Sequence, residues 1–367
     1  MAKVQLPITL NLSSVDEAPA IDFAENKVKI GSRKSLLAVK QSEILSRIIK
    51  EYYPNVETSI TKVSTLGDQV QNRPLYSFGG KAVWTKELEI LLLGPLGDFE
   101  QIDLIAHSLK DMPTLLPEEF ELGCILERED PRDALVMPQT SPYTELSQLP
   151  AGSIVGTSSL RRSAQLQRLY PELQFRSARG NIHTRLNKLD APESPFSCLI
   201  LAAAGLLRVG LGHRITKYLN DDEMLYAVGQ GAVGIEIRKG DAKMKKLCNV
   251  IGHRETTWRC CAERSLLRRL EGGCSVPVGV STTLNGNLLS FKAVVLSVDG
   301  SQFVEASIEG KIEKDEDCLA IGIELAELLI QKGAKKILDE INFDKVAAVK
   351  NAGITGTASP TPTPTPQ

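Results

Sequence analysis

Short apolar runs alternate with amphipathic stretches through the first two thirds of the chain. The run "KVKIGSRKSLLAVKQSEILSRII" predicts a strand, a Gly-Ser-Arg turn and a helix whose apolar positions Leu37, Ile44, Leu45, Ile48 and Ile49 share one face. "GSIVGTSSLRRSAQLQRL" repeats the same pattern, so the chain predicts two α/β domains facing one cleft. Between them "IDLIAHSLKDMPTLLP" reads as a buried strand ending in a polar turn, and "SCLILAAAGLLRVGLG" as another that ends in Arg208. Ligands of open α/β sheets bind beyond the carboxyl ends of the strands, which makes the polar groups at those ends the candidates.

After about residue 245 the pattern changes. A helix around Thr256 to Leu270 precedes "SVPVGVSTTL", "LLSFKAVVLSV" and "QFVEASIEG", which alternate and are joined by Asn285-Gly286 and Asp299-Gly300 turns. They predict a three-stranded antiparallel sheet. "CLAIGIELAELLIQKGAKKILDEI" adds a long amphipathic helix, completing a small α+β third domain. The segment "TGTASPTPTPTPQ" has no core to bury and is expected to be disordered.

Composition narrows the classes. The 367 residues, 42% hydrophobic and 5% aromatic, are enough for two or three domains. Seven cysteines without a C-x-x-C pair suggest neither a disulfide framework nor a zinc site, and most read as reduced core thiols. His107, His183, His213 and His253 form no H-x-x-x-H, which argues against a metal centre. A net charge of −2 argues against a general polyanion binder. Residues 1–26 lack the apolar core of a signal peptide, and Asp16, Glu17, Asp22 and Glu25 are unlike an Arg-rich transit peptide. No run approaches the roughly 20 apolar residues that cross a bilayer. The expectation is a soluble, cytoplasmic protein.

The charge distribution says more. Arg161, Arg162, Arg168, Arg176, Arg179, Arg185 and Lys188 crowd one segment. The planar fork of arginine pairs carboxylates or phosphates bidentately, so such a cluster suits a ligand with many separate acidic groups. Nucleic acid is the rival, but it needs stacking aromatics or a broad basic face, and only Tyr170 and Phe175 lie nearby. A solvated helix face accounts for Arg168 and Lys188 and poorly for "SARGNIHTR". The hydroxyl-rich first turns of the two βα units are ready anion sites; alternatively, Ser35 and Thr157 or Ser158 only cap helices. Asp111, just beyond a strand, can steady a developing cation or shuttle a proton, while its spacing from Ser108 also fits a capping box. Cys274 follows Gly272 and Gly273, which can end a helix and leave the thiol on an open loop, where nearby arginines would favour a thiolate. Cys260 and Cys261 read as packing residues within a helix.

Nine segments in order resemble the porphobilinogen deaminase family, also called hydroxymethylbilane synthases: "GSRKSLLAVKQSE", "GGKAVWTKELE", "HSLKDMP", "EREDPRDALV", "GTSSLRRSAQL", "RSARGNIHTRL", "AAAGLLRVGL", "GQGAVGIEIR" and "LEGGCSVPVG". The resemblance runs from about Val28 to Leu338. It implies two periplasmic-binding-protein-like α/β domains around a cleft plus a small α+β C-terminal domain with a three-stranded antiparallel sheet. Domain 1 would comprise 27–124 and 226–243, domain 2 residues 125–225 with the arginine cluster, and domain 3 residues 244–345 with the cysteine loop. A flexible extension, 1–26, and a disordered tail, 346–367, would flank them.

The resemblance further implies a transferase that condenses four porphobilinogen molecules head to tail, releasing ammonia each time, then hydrolytically releases hydroxymethylbilane for tetrapyrrole and haem biosynthesis. Growth would start on a dipyrromethane cofactor held through a thioether to Cys274. Asp111 matches the family's catalytic aspartate, placed to stabilise the azafulvene cation left when ammonia departs. Arg33, Arg161, Arg162, Arg179, Arg185 and Arg208 match the binders of cofactor and substrate carboxylates, with Ser35, Lys81, Lys110, Thr157, Ser158 and Ser159 in support. The implied partner is a small-molecule substrate, with no nucleic acid, membrane or metal, and the implied state is a monomer. There are departures: Trp84 stands where the family commonly has Phe, His183 where a small or amide side chain is expected, and "LLLGPLGDFEQ" lengthens a surface loop. Residues 65–81, polar and Gly-rich, read as a lid beside the site. Two other classes compete. A non-catalytic anion-binding protein of the periplasmic-binding type leaves "LEGGCSVPVG" unexplained, and a nucleic-acid binder requires affinity that falls steeply with salt.

Overall fold

The computed structural model describes residues 18–64, 85–270 and 276–341. Lys81, Trp84, Cys274, the expected lid at 65–81 and the 346–367 tail lie outside the described residues.

Strands β1 (Lys27–Arg33), β2 (Glu57–Val63), β3 (Leu104–Ser108) and β4 (Phe120–Ile125) begin one sheet, and the chain then leaves it. It builds a second from β5 (Asp133–Val136), β6 (Ile154–Gly156), β7 (Gln174–Arg176), β8 (Cys198–Ala202) and β9 (Lys217–Tyr218), and returns to the first as β10 (Val233–Arg238). The orders are β2-β1-β3-β10-β4 and β7-β6-β8-β5-β9. In each, three parallel strands are followed by one that runs antiparallel to both neighbours. The two sheets therefore share one plan, joined by crossing segments between β4 and β5 and between β9 and β10. Central strands β3 and β8 are buried at every position but the last, as strands covered on both faces must be.

Helix α1 (Leu36–Tyr52) follows β1, α2 (Lys86–Leu93) precedes β3, and α3 (Leu160–Leu169), α4 (Ile182–Asp190) and α5 (Ala203–Arg208) follow β6, β7 and β8. Two local expectations change here. Gly31, Ser32 and Arg33 do not turn; they continue β1 in register with Thr61, Lys62 and Val63. Gly31 answers to packing, since a Cβ there would overlap Ile102. Similarly, the strand expected to end in Arg208 ends at Ala202, and Arg208 closes the short helix α5.

Helix α6 (Ala242–Ile251) buries Met244, Leu247, Cys248, Val250 and Ile251 in one core with Val28, Ile30, Leu45 and Ile237. The domain boundary expected at 243/244 cuts through this helix, whose apolar face is committed to the first sheet. The third unit starts instead with α7 (Arg254–Arg269), followed by β11 (Val278–Asn285), β12 (Leu288–Leu296), β13 (Phe303–Lys311), α8 (Asp317–Gln331) and α9 (Ala334–Asp339). Its three strands are antiparallel, with Gly286 and Gly300 left-handed at the turns. Cys260, Cys261, Phe291, Val295, Leu325 and Leu329 fill its core.

Helices α7 and α8 touch at Gly322, where a Cβ would overlap the Ala262 carbonyl and the Ser265 hydroxyl. That hydroxyl donates to the Leu319 carbonyl at 3.0 Å, tying the helices together. Gly322→Ala is expected to force them apart and cost about 1–3 kcal/mol, read as a lower midpoint of urea unfolding. Among the described residues no helix is long and apolar enough to cross a membrane, and the six cysteines are all buried.

Candidate active site

The carboxyl end of β3 runs into a single turn, Leu109–Asp111. Leu109 is buried, and its N–H donates to the Ala232 carbonyl at 3.0 Å, which pins the turn to the segment entering β10. The capping box expected between Ser108 and Asp111 does not form. Ser108 instead meets the Gln41 amide of α1, whose Nε2 donates to its hydroxyl at 2.8 Å. With its backbone fixed in this way, the turn leaves Asp111 exposed.

Lys110 beside it is half-buried, and its Nζ donates to Gln230 Oε1 at 3.4 Å. Burial lowers its pKa to about 8, with Arg162 and Arg161 pushing the same way and Asp111 and Asp133 opposing them.

From the second sheet, β6 ends at Gly156 and leads through Thr157, Ser158 and Ser159 into α3. The helix cap is Ser159, accepting from the Arg162 N–H at 3.5 Å, rather than Thr157 or Ser158. Thr157 Oγ1 accepts from the Ser159 N–H at 3.2 Å, and Ser158 donates to the Ala178 carbonyl at 3.0 Å. In the first unit Ser35 does cap its helix, accepting from the Ala38 N–H at 3.4 Å.

Arg161 and Arg162 form the first turn of α3 and are buried. Asp133, at the start of β5, pairs with both: Arg161 Nη1 lies 2.7 Å from Oδ2, while Arg162 Nε and Nη2 lie 2.9 and 2.7 Å from Oδ1. Burial works to raise the Asp133 pKa, but the two guanidiniums outweigh it and hold the carboxyl well below the usual range. Gln230, also fully buried, donates to Asp133 Oδ1 at 2.9 Å. Neither Asp133 nor Gln230 stood out in the sequence. A signal was present, however: an aspartate opening the otherwise apolar strand "DALV" needs a cationic partner once buried.

Arg179 Nε donates to Ser177 Oγ at 3.1 Å, and Arg185 Nε to the Gly180 carbonyl at 2.8 Å. Burial, then Arg162 and Arg179, bring Arg185 down to about 10 against the pull of Asp111. Arg208 Nη2 donates to the Gly231 carbonyl at 2.6 Å, and burial lowers its pKa as well. Arg33 is half-buried at the carboxyl end of β1, and His183 is exposed on α4. Arg168, outside this group, is exposed with its guanidinium 4.0 Å above the Phe303 ring of the third unit.

Residues from both sheets therefore act on one another. Lys110, Arg161, Arg162, Arg179 and Arg185 outnumber Asp111 and Asp133, and several are held below their ordinary pKa by burial and by one another. Such a basin lowers its energy by taking in further carboxylates. Among the described residues no cluster of His, Cys, Asp and Glu is arranged to hold a metal ion.

Comparison with known proteins agrees with this chemistry. Residues 28–246 match the family model for the porphobilinogen deaminase dipyromethane cofactor binding domain, and residues 257–331 match that for the porphobilinogen deaminase C-terminal domain. Proteins named porphobilinogen deaminase are similar throughout. That of Debaryomyces hansenii is 57% identical over 92% of this chain and 93% of its own. The Candida albicans protein is 59% identical over 87% and 94%, and the Saccharomyces cerevisiae protein 57% over 86% and 98%. Among solved structures, the periplasmic aliphatic sulphonate binding protein SsuA from Escherichia coli aligns with 93% of this chain and 98% of its own, at 11% identity and a TM-score of 0.34.

Proposed function

The chain belongs to the porphobilinogen deaminase family, and from that premise we propose that it condenses four porphobilinogen molecules head to tail, releasing ammonia at each step and hydroxymethylbilane at the end. It is a transferase, its substrate is the small molecule porphobilinogen, and its cofactor is dipyrromethane. The observation that carries the reading is the surplus of buried and half-buried cations around the Asp111 turn. Each pyrrole of substrate and cofactor bears an acetate and a propionate, and this donor set fits such a group.

When bound, the dipyrromethane supplies the primer to which pyrrole units are joined. Arg33, Arg161, Arg162, Arg179, Arg185 and Arg208 hold carboxylates, with Ser35, Lys110, Thr157, Ser158 and Ser159 in support. Asp111 lies where a carboxylate offsets the positive charge that develops on the substrate as ammonia leaves. Lys81 and Cys274, outside the described residues, keep the roles their motifs give them: carboxylate binding and thioether attachment. We read residues 27–124 with 226–251 as one domain, 125–225 as the second and 252–345 as the third, in a monomeric, cytoplasmic protein.

The test is an intact-protein mass spectrum before and after porphobilinogen, with peptide mapping around Cys274. A dipyrrole mass on the Cys274 peptide that grows by single pyrrole units is the expected result. A bare chain mass that neither substrate nor reconstitution changes would overturn the reading.

The Lys110 ammonium adds a pH dependence. Facing it are Asp111, Asp133, Arg161, Arg162 and the Gln230 amide. As pH rises through about 8 it loses its charge, so KM for porphobilinogen is expected to climb above that pH. In Lys110→Arg the guanidinium stays charged and the climb should vanish; identical KM profiles for the two proteins would remove Lys110 from substrate binding.

A further inference from the structure

We infer that Asp133 and Gln230 are positioning residues: the Asp133 carboxylate sets the forks of Arg161 and Arg162, and Gln230 holds that carboxylate while reaching across to Lys110 beside Asp111. The inference rests on the transferase reading and deepens it.

The geometry brings four separate elements to one point. Asp133 opens β5, the arginines belong to α3, Gln230 lies in the crossing segment before β10, and Lys110 lies in the turn after β3. Asp133 Oδ1 accepts from Arg162 Nε, Arg162 Nη2 and Gln230 Nε2, and Oδ2 accepts from Arg161 Nη1. Backbone carbonyls complete the frame: Leu225 accepts from Arg161 Nη1 at 2.7 Å and Ile200 from Arg162 Nη1 at 2.9 Å. Gln230 is anchored from behind, its Nε2 donating to the Pro131 carbonyl at 2.7 Å.

Charge separates this arrangement from a plain structural ion pair. One carboxylate faces two guanidiniums, so the triad keeps one positive charge in a dry setting. A pair built for stability alone would close the balance. Moreover, Arg161 spends only its Nη1 on Asp133 and Leu225, and its Nε and Nη2 make no hydrogen bond among the described residues. One edge of its fork is fixed and the other is presented. Without Asp133, two adjacent buried guanidiniums would repel each other and turn apart, so the orientation of both depends on this carboxylate.

The test compares full-length wild type, Asp133→Asn, Asp133→Glu and Gln230→Met after incubation with porphobilinogen. It reads the fraction of chain carrying the dipyrrole mass, the thermal midpoint, KM and kcat. Asp133→Asn keeps the shape and removes the charge; its KM is expected to rise about 10-fold or more, with a smaller change in kcat and a lower loaded fraction. Asp133→Glu should recover part of the loss. Gln230→Met keeps every charge and should raise KM about 3-fold, and it carries the test if Asp133→Asn does not fold. Wild-type KM and loading in the folded variants, even with a lower thermal midpoint, would reduce the pair to a structural role and overturn the inference. A wild-type chain that gains no dipyrrole mass would instead sink the transferase reading, and this inference with it.

Discussion

Asp111→Asn is expected to lower kcat by about 10²- to 10⁴-fold while leaving the circular dichroism spectrum and thermal midpoint unchanged. The side chain is exposed and its carboxylate accepts no hydrogen bond among the described residues, so the amide leaves no buried partner stranded. What disappears is a negative charge that acts on both Lys110 and Arg185. In the function proposed above it is also the charge that meets the cation formed as ammonia departs. A near wild-type kcat in a folded Asn variant would assign the chemistry elsewhere.

Glu263→Ala is expected to cost about 3–5 kcal/mol, the range for leaving one partner of a buried ion pair uncompensated. Glu263 is fully buried on α7 and accepts from Arg128 Nη1 at 2.6 Å, Arg128 Nη2 at 3.0 Å, the Gly229 N–H at 2.8 Å and Thr282 Oγ1 at 2.8 Å. Arg128 and Gly229 lie on the two crossing segments and Thr282 on β11, so one carboxylate fastens the third unit to both connections. Truncation strands a buried guanidinium and a buried N–H together. Urea unfolding near pH 7 should show a much lower midpoint; an unchanged midpoint would mean that water or a rotated Thr282 satisfies Arg128.

Much of the fold is legible in the sequence because it rests on local periodicity. The alternation in "LLSFKAVVLSV" and its neighbours, with Asn285-Gly286 and Asp299-Gly300 between them, specifies a meander without outside help, and β11 to β13 form as expected. Where tertiary contacts decide, sequence reasoning errs. Gly31 looks like a turn residue but is a glycine because Ile102 crosses it. Met244 and Leu247 lie just past an apparent boundary, yet their helix begins before it and their core partners are Val28 and Ile30, some two hundred positions earlier.

The site divides in the same way. Arg161 and Arg162 are visible as a basic cluster, but nothing local reveals that Asp133, 28 and 29 positions away, already pairs with both. Ser159 rather than Thr157 or Ser158 caps α3, because a cap is defined by which residue leaves helical dihedrals, a matter of one position.

The interleaved connection of the two sheets also fixes an order of assembly. Strands β5 to β9 are consecutive in the chain, whereas β10 must slot between β3 and β4. A nascent chain that has emerged as far as Tyr218 holds every strand of the second sheet, while β4 still lacks β10, the one strand it pairs with in the finished sheet. The half carrying the arginine pair can close on its own residues. The half carrying Asp111 stays open along the edge of β3, its ladder groups unpaired and able to recruit another chain, until the polypeptide has doubled back through Arg238.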